Sequence, residues 1–341
     1  MLRRGRSGYP QRTLDIVTGH NTQPWLALGA IAPITALTLL VIPRFLLKLT
    51  PWLQRQTEGV ANCYACDRLV SVAASTCIHC GTQQPGLWGY GRQYRQFRHQ
   101  QGFVALVTWG CVALYALTLL VNLRGVRTVL PFEILVPDLE SLLMFGATGE
   151  IPLFTRGSWW TVFTAAWLHG HIFHLGFNLG WIRYLTPLVI EFYGAARMVV
   201  LYTGSAVTAA LLSSLVAHYG TRLPQLLQGA YVSVGASGAL FGLFGALVAY
   251  GQQTGRKTLQ NTIALYAGLG FILGFSLGSV DNWGHLGGFL GGFALSYVPG
   301  LRGNQPQRLY DVILALVCLG LTGLSFLLAV GHYGWLKGDG G

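Results

Sequence analysis

Eight apolar stretches constrain this chain more than any other feature. They fall at 25–47, 103–123, 171–190, 197–217, 234–250, 260–278, 283–299 and 310–331, separated by short connections that carry most of the charge. Crossing a bilayer takes about 20 predominantly apolar residues in an α-helix. A backbone immersed in lipid must also satisfy its hydrogen bonds within the segment, which helices do. Only 10% of the 341 residues are charged, against roughly 25% in a soluble domain, so a water-soluble enzyme is excluded. The expected fold class is all-α, a polytopic membrane helical bundle. Its 46 glycines suit helices packed backbone to backbone. The stretch at 283–299 is short, but Asp281 and Pro299 bound it and its glycines point to burial among other helices. The stretch at 25–47 is interrupted by Pro33 and Pro43 and closed by Arg44, so a spanning helix and a re-entrant or interfacial helix both remain open there.

Charge orients the bundle. Twenty-two basic and eleven acidic residues give a net charge of +11, which in this setting reads as cytoplasmic loops rather than as a nucleic-acid surface. Arg92, Arg95 and Arg98 precede the stretch at 103–123, while 124–158 holds Glu133, Asp138, Glu140 and Glu150 and reads as external. Arg256 with Lys257, and Arg302 with Arg308, then return to the inner side. Arg3, Arg4, Arg6 and Arg12 break the alternation if 25–47 spans. No cleavable signal sequence is apparent, because the first apolar run starts late and lacks a small-residue cleavage site. The expected location is a bacterial inner membrane.

Between the first two apolar blocks lies Cys63-Tyr-Ala-Cys66, followed after ten residues by Cys77-Ile-His-Cys80-Gly81. Two such pairs place four thiolates where they can close a tetrahedral site for zinc, and an all-thiolate set leaves no open position for water, so the ion's role would be structural. Two disulfides are the alternative and would require an oxidising compartment. The neighbouring arginines place this ribbon on the cytoplasmic side, where thiols stay reduced and a protein partner could meet it. His79 sits inside the second pair and reads as a bystander. Cys111 and Cys318 lie within apolar spans and read as small buried residues.

Polar residues within the spans carry the functional signal, since lipid penalises them. One cluster is Trp167-Leu-His169-Gly-His171-Ile-Phe-His174-Leu-Gly-Phe-Asn178-Leu-Gly-Trp181, in which His174 and Asn178 share a helical face. Metal ligation by its histidines would lack a carboxylate in the same run. A second is Ser233-Val-Gly235-Ala-Ser237-Gly238, with Gly242 and Gly245 continuing a small-residue face. It is not the G-x-S-x-G elbow of α/β-hydrolases, because position 239 is alanine and no strand is expected before it. The third is Asp281-Asn-Trp-Gly284-His285-Leu-Gly-Gly288-x3-Gly292, a glycine stripe at i, i+4 and i+8. Two such faces can approach closely and bring Ser237 toward His285.

Together these motifs, in this order, resemble the rhomboid family of intramembrane serine proteases over about residues 103–300. The resemblance implies that Ser237 is the nucleophile and His285 its general base, a dyad without an acid partner. It implies that His174 and Asn178 stabilise the oxyanion with the Ser237 backbone N–H, and that Gly235, Gly238, Gly288 and Gly292 seat the helices. It also implies catalysis without a cofactor, and transmembrane proteins in the lipid bilayer as substrates, cut near the external face. The physical requirements agree: a serine hydroxyl needs a base, and fixed oxyanion donors are worth roughly 2.7–4 kcal/mol each.

Three positions depart from the family pattern. Trp159-Trp160-Thr161 lacks the usual arginine, Phe241 stands where some relatives have tyrosine, and Arg183 lies inside a span and is expected to snorkel toward the inner face. The organisation expected is an N-terminal segment at 1–55, a zinc ribbon at 56–90, a protease core at 100–300, and an additional span with its tail at 301–341. The rival reading is a catalytically inactive rhomboid-like protein that binds membrane clients. Such proteins commonly lose the serine or histidine retained here. A transporter would want charged or unwound mid-membrane sites and paired halves, which the sequence lacks.

Overall fold

The computed structural model describes residues 56–338 except positions 57, 100, 101, 130–132, 225, 226, 278 and 279. The apolar stretch at 25–47 and the N-terminal segment therefore lie outside the described residues. Each of the seven apolar stretches from 103 onward forms a helix. In chain order the helices are α1 (Gly91–His99), α2 (Gly102–Val121), the single-turn-scale α3 (Leu139–Met144), α4 (Ile172–Tyr193), α5 (Ala195–Tyr219), α6 (Ser237–Thr254), α7 (Lys257–Leu277), α8 (Asn282–Leu295) and α9 (Leu309–Gly338). Helix α8 stops short of Pro299, as Ser296 and Tyr297 turn back on the carbonyls of Gly292 and Ala294.

The burial pattern is that of a bundle immersed in lipid, and the chain is a multi-pass membrane protein. Helix α6 forms the axis, buried on every side from Gly238 to Gly251. The peripheral helices α2, α7 and α9 instead expose Trp109, Leu120, Leu265, Ile272, Leu316 and Leu327. An apolar belt of that extent on a soluble monomer would be an aggregation liability; facing acyl chains it is satisfied. Among the described residues, α2, α5, α7 and α9 are long and apolar enough by themselves to cross a membrane. Helices α4, α6 and α8 are shorter or more polar, as expected of inner members that pack against protein.

Among the described residues two small antiparallel strand pairs lie outside the bundle. Strands β1 (Val60–Asn62) and β2 (Leu69–Ser71) pair antiparallel, with Ala61 opposite Val70. Strands β3 (Arg127–Val129) and β4 (Glu133–Val136) pair antiparallel with an irregular register inside the segment expected to be an external loop. At the opposite end of the bundle the Arg197 and Asp311 side chains, both fully buried, form a 2.9 Å ion pair that joins the start of α5 to the start of α9. The two terminal Arg197 nitrogens also donate to the carbonyls of Arg302, Gln305 and Pro306 at 2.9–3.1 Å, leaving Nε without a partner among the described residues. A buried guanidinium needs such partners to offset its desolvation.

Candidate active site

Glycine sets the distance between the two central helices. Helix α8 packs most extensively against α6 and α5. A Cβ at Gly288 would land on the Gly238 carbonyl group, and one at Gly292 on that of Gly242. The same α8 carries a second stripe, Gly287 and Gly291, against Thr208 and Ala209 of α5. So α8 is wedged between two helices at backbone contact. The stripe visible in the sequence covers only one of those faces; a Cβ at its first member, Gly284, would meet the Asp281 carboxylate, although the Gly284 carbonyl faces Gly238 of α6.

This packing brings the ends of α6 and α8 together. Ser237 is the first residue of α6 and is half-buried; His285 sits in the first turn of α8 and is buried. The His285 ring stacks on Phe241, with centroids 4.0 Å apart and planes 12° from parallel. Phe241 lies one helical turn beyond Ser237, so the imidazole is held on the stripe of α6 that begins with the serine. Phe271 of α7 meets the same imidazole edge-on at 6.2 Å. Among the described residues neither ring nitrogen of His285 has a hydrogen-bond partner. Hydrogen bonds of catalytic groups are often long in a free enzyme and tighten in the reacting complex.

The first turn of α4 faces this point from the other side. His171 caps the helix, its Nδ1 accepting from the His174 N–H at 3.1 Å. The His174 ring lies over Gly235, whose φ of +132° and crowded α-hydrogen exclude a side chain: a Cβ there would stand 2.6 Å from His174 Cε1 and 3.8 Å from Ser237 Oγ. Gly235 thus lies between the imidazole of His174 and the serine hydroxyl. Asn178 is buried and donates one amide hydrogen to the His174 carbonyl at 2.8 Å. His169, fully buried, meets the His174 ring edge-on at 5.2 Å.

The segment before Ser237 is pinned to the loop segments that carry Thr148 and Ala165. Thr148 and Ser233 exchange backbone hydrogen bonds of 3.0 and 2.7 Å, and Gly235 N–H donates to the Ala165 carbonyl at 2.9 Å. Thr161, the residue standing where the family pattern has arginine, is buried. Its hydroxyl donates to the Ser158 carbonyl at 2.8 Å and reaches the Thr148 hydroxyl at 3.4 Å. Arg183 is exposed on α4.

The four cysteines of the ribbon converge. All their sulfur atoms lie within 4.8 Å of one another, with Cys63 to Cys80 and Cys66 to Cys77 both 3.8 Å. A tetrahedron with metal–sulfur bonds of about 2.3 Å has edges of about 3.8 Å, so the donors fit zinc, and none is in a disulfide. Amides of Ala65 and His79 donate to Cys63 and Cys77 sulfurs at 3.4 Å. Each pair is followed by a left-handed residue, Asp67 at φ +60° and Gly81 at +70°. Burial would raise the Cys77 thiol, but the His79 and Cys80 amides and its neighbouring thiols outweigh it and bring it to about 7; burial pushes Cys80 up to about 12. His79 is exposed.

The ribbon is docked, not tethered. Tyr64 is fully buried, its hydroxyl 3.0 Å from the Thr82 hydroxyl and its ring edge-on to Tyr94 at 5.8 Å. Arg98 of α1 binds Asp67 at 2.8 Å and the Tyr64 carbonyl at 3.1 Å. Tyr94 in turn contacts the Gln307 amide, whose oxygen accepts from the Ala195 and Ala196 N–H groups at 3.0 and 2.9 Å at the start of α5.

Comparison with known proteins adds an independent finding. The Rhomboid domain profile matches residues 156–302. The chain is 34% identical over 185 residues to Rhomboid protease GluP of Bacillus subtilis, covering 52% of this chain and 33% of that one. It is 35% identical over 174 residues to RHOMBOID-like protein 5 of Arabidopsis thaliana, covering 50% and 53%. With YdcA of Bacillus subtilis it shares 32% identity over 147 residues, covering 42% of this chain and 68% of that protein. The match thus spans one third to about half the length of the first two relatives.

Proposed function

The chain belongs to the rhomboid family, and on that premise we propose that it is an intramembrane serine endopeptidase working through a Ser237–His285 dyad. The observation that carries this reading is the glycine-spaced contact of α6 with α8, which holds the His285 imidazole on Phe241 one turn from Ser237. His285 in its neutral form takes the Ser237 proton as Oγ attacks the scissile carbonyl, then returns it to the leaving amine. The Ser237 backbone N–H, at the start of α6, and the His174 and Asn178 side chains donate to the oxyanion in this reading, which the approach of the His174 ring to Gly235 supports. Water admitted at the helix ends then hydrolyses the acyl-enzyme.

Substrates are the transmembrane segments of other membrane proteins, cut near the external face. A peptide bond in an intact helix is shielded by its own hydrogen bonds, so residues that unwind the helix favour cleavage. Catalysis uses no cofactor. The ribbon, within 56–90, holds a structural Zn2+ through Cys63, Cys66, Cys77 and Cys80, and supplies a stable cytoplasmic face for a protein partner. The core spans 100–300, followed by the additional span in 301–341, in a bacterial inner membrane.

The test is cleavage of a generic transmembrane substrate by purified protein, with Ser237→Ala and His285→Ala as controls. Loss of cleavage in both variants supports the dyad. A wild type that binds the substrate and never cuts it overturns the reading in favour of client binding.

A further inference from the structure

A carboxylate stands one turn ahead of His285, and it does not touch the imidazole. Asp281 precedes α8 and caps it: Oδ1 accepts from the Gly284 N–H at 2.8 Å, and its own carbonyl accepts from the His285 N–H at 3.0 Å. The same oxygen, Oδ1, accepts from the Ser213 hydroxyl of α5 at 2.7 Å, while Oδ2 accepts from the Ser233 hydroxyl at 2.9 Å. Ser213 also receives the Ala230 N–H at 3.0 Å. One carboxylate therefore ties the helix of the proposed base, the segment leading into the proposed nucleophile, and α5. Ser233 extends the chain of bonds to Thr148 of the external loop.

We propose that Asp281 is a positioning residue for the Ser237–His285 pair, a proposal that rests on the hydrolase reading above. It fixes the approach of α8 to the 230–236 segment by a three-armed hydrogen-bonded clamp, and it is not a third member of a triad. All of its partners are donors, a set that suits an ionised carboxylate, and charge-assisted bonds of this type are the strong ones. The clamp matters because Ser237 and His285 lie on different helices, with no covalent connection nearer than α7.

The experiment uses the full-length protein in detergent with Asp281→Ala, Asp281→Asn and Ser233→Ala. Three quantities are read: the rate of covalent labelling of Ser237 by a fluorophosphonate, kcat and KM on a transmembrane peptide, and the melting temperature. Misplacement of reacting groups by an ångström can cost about 10²-fold, so Asp281→Ala should label at least about tenfold more slowly, with kcat falling in parallel and KM unchanged. Asp281→Asn keeps an oxygen for Gly284 and Ser213 and can donate its amide to the Ser233 hydroxyl, so it should recover most of the rate. Ser233→Ala removes one arm only and should slow labelling without lowering the melting temperature.

Wild-type labelling in Asp281→Ala or Ser233→Ala overturns the proposal. So does an Asp281→Asn protein as slow as the alanine variant, which would make the charge and not the bonding responsible. If Asp281→Ala does not fold, Ser233→Ala decides. A wild-type protein that is neither labelled nor active fails the hydrolase reading itself, an outcome distinct from normal labelling in the variants.

Discussion

Consider a single methyl group added at Gly288. The new Cβ would stand 2.7 Å from the Gly238 carbonyl carbon and 3.2 Å from its Cα. Carbon atoms in contact settle at about 3.5–4.0 Å, so α8 must retreat from α6 by roughly 1 Å. On its other side Gly287 and Gly291 already touch α5, so the retreat meets a second backbone. Overpacking of this kind costs typically about 1–3 kcal/mol. The larger effect falls on geometry, because His285 lies three residues earlier on the displaced helix while Ser237 adjoins Gly238 on the stationary one. An ångström between a base and its nucleophile is worth about 10² in rate, close to 2.7 kcal/mol of barrier at 1.36 kcal/mol per decade. The control is Gly320→Ala on α9, where an added methyl meets nothing within 4 Å. Initial rates on a transmembrane substrate, measured on folded protein well below each variant's melting temperature, should show Gly288→Ala reduced about a hundredfold and Gly320→Ala unchanged. A Gly288→Ala protein cleaving at near wild-type rate would refute the argument that glycine spacing sets the reacting distance.

Other perturbations follow from the same contacts. Phe241→Ala removes the ring stacked on His285; a stacked pair is worth about 0.5–1.5 kcal/mol, so kcat should fall severalfold with KM little changed, read by steady-state kinetics. Removing one partner of the buried Arg197–Asp311 pair leaves an uncompensated charge, which costs about 3–5 kcal/mol; Asp311→Ala should lower the unfolding midpoint in detergent sharply. Cys77→Ser should reduce bound zinc, measured by elemental analysis, well below one ion per chain. Zinc binding displaces thiol protons: Cys77 loses its own near pH 7, while burial holds Cys63 and Cys80 protonated to higher pH. Zinc affinity should therefore fall as pH drops through 7 and below; an affinity that is flat from pH 8 to 6 in a competition titration would contradict four-thiolate binding.

Much of this was legible in the chain because the signals are local. Each bundle helix announces itself by its own run of apolar residues. Gly288 and Gly292 fall at helical spacing, and two C-x-x-C pairs mark the four cysteines whose sulfur atoms converge. What stayed hidden depends on distant partners. Asp281 reads in sequence as no more than the boundary of a span, since Ser213 and Ser233 lie 68 and 48 positions away. Gly287 and Gly291 escape a reading that assumes one partner per helix. Strands β3 and β4 are three and four residues long, and Leu135 within β4 sits at φ +55°, so no alternation marks them. Thr161 could be recognised only as a missing arginine; its bonds to Ser158 and Thr148 need the folded loop. Asp67 after the first cysteine pair is the one cue left unread, since aspartate tolerates the left-handed conformation that glycine adopts after the second.

The pairing of Arg197 with Asp311 also dictates an order of events in biosynthesis. The two residues are 114 positions apart, so a ribosome has made α5 through α8 before the acid that neutralises the arginine exists. Until then the guanidinium at the start of α5 has no counter-ion at this site, and a charge withdrawn from water without one is costly. The buried Arg197 site therefore cannot close before α9 is made. Arrival of α9 supplies Asp311, and the adjoining Gln307 at the same moment caps α5 and meets Tyr94, which bears on the ribbon made long before. Helix α9 is thus the latch that ties the start of α5 to the cysteine-bearing segment through Gln307 and Tyr94.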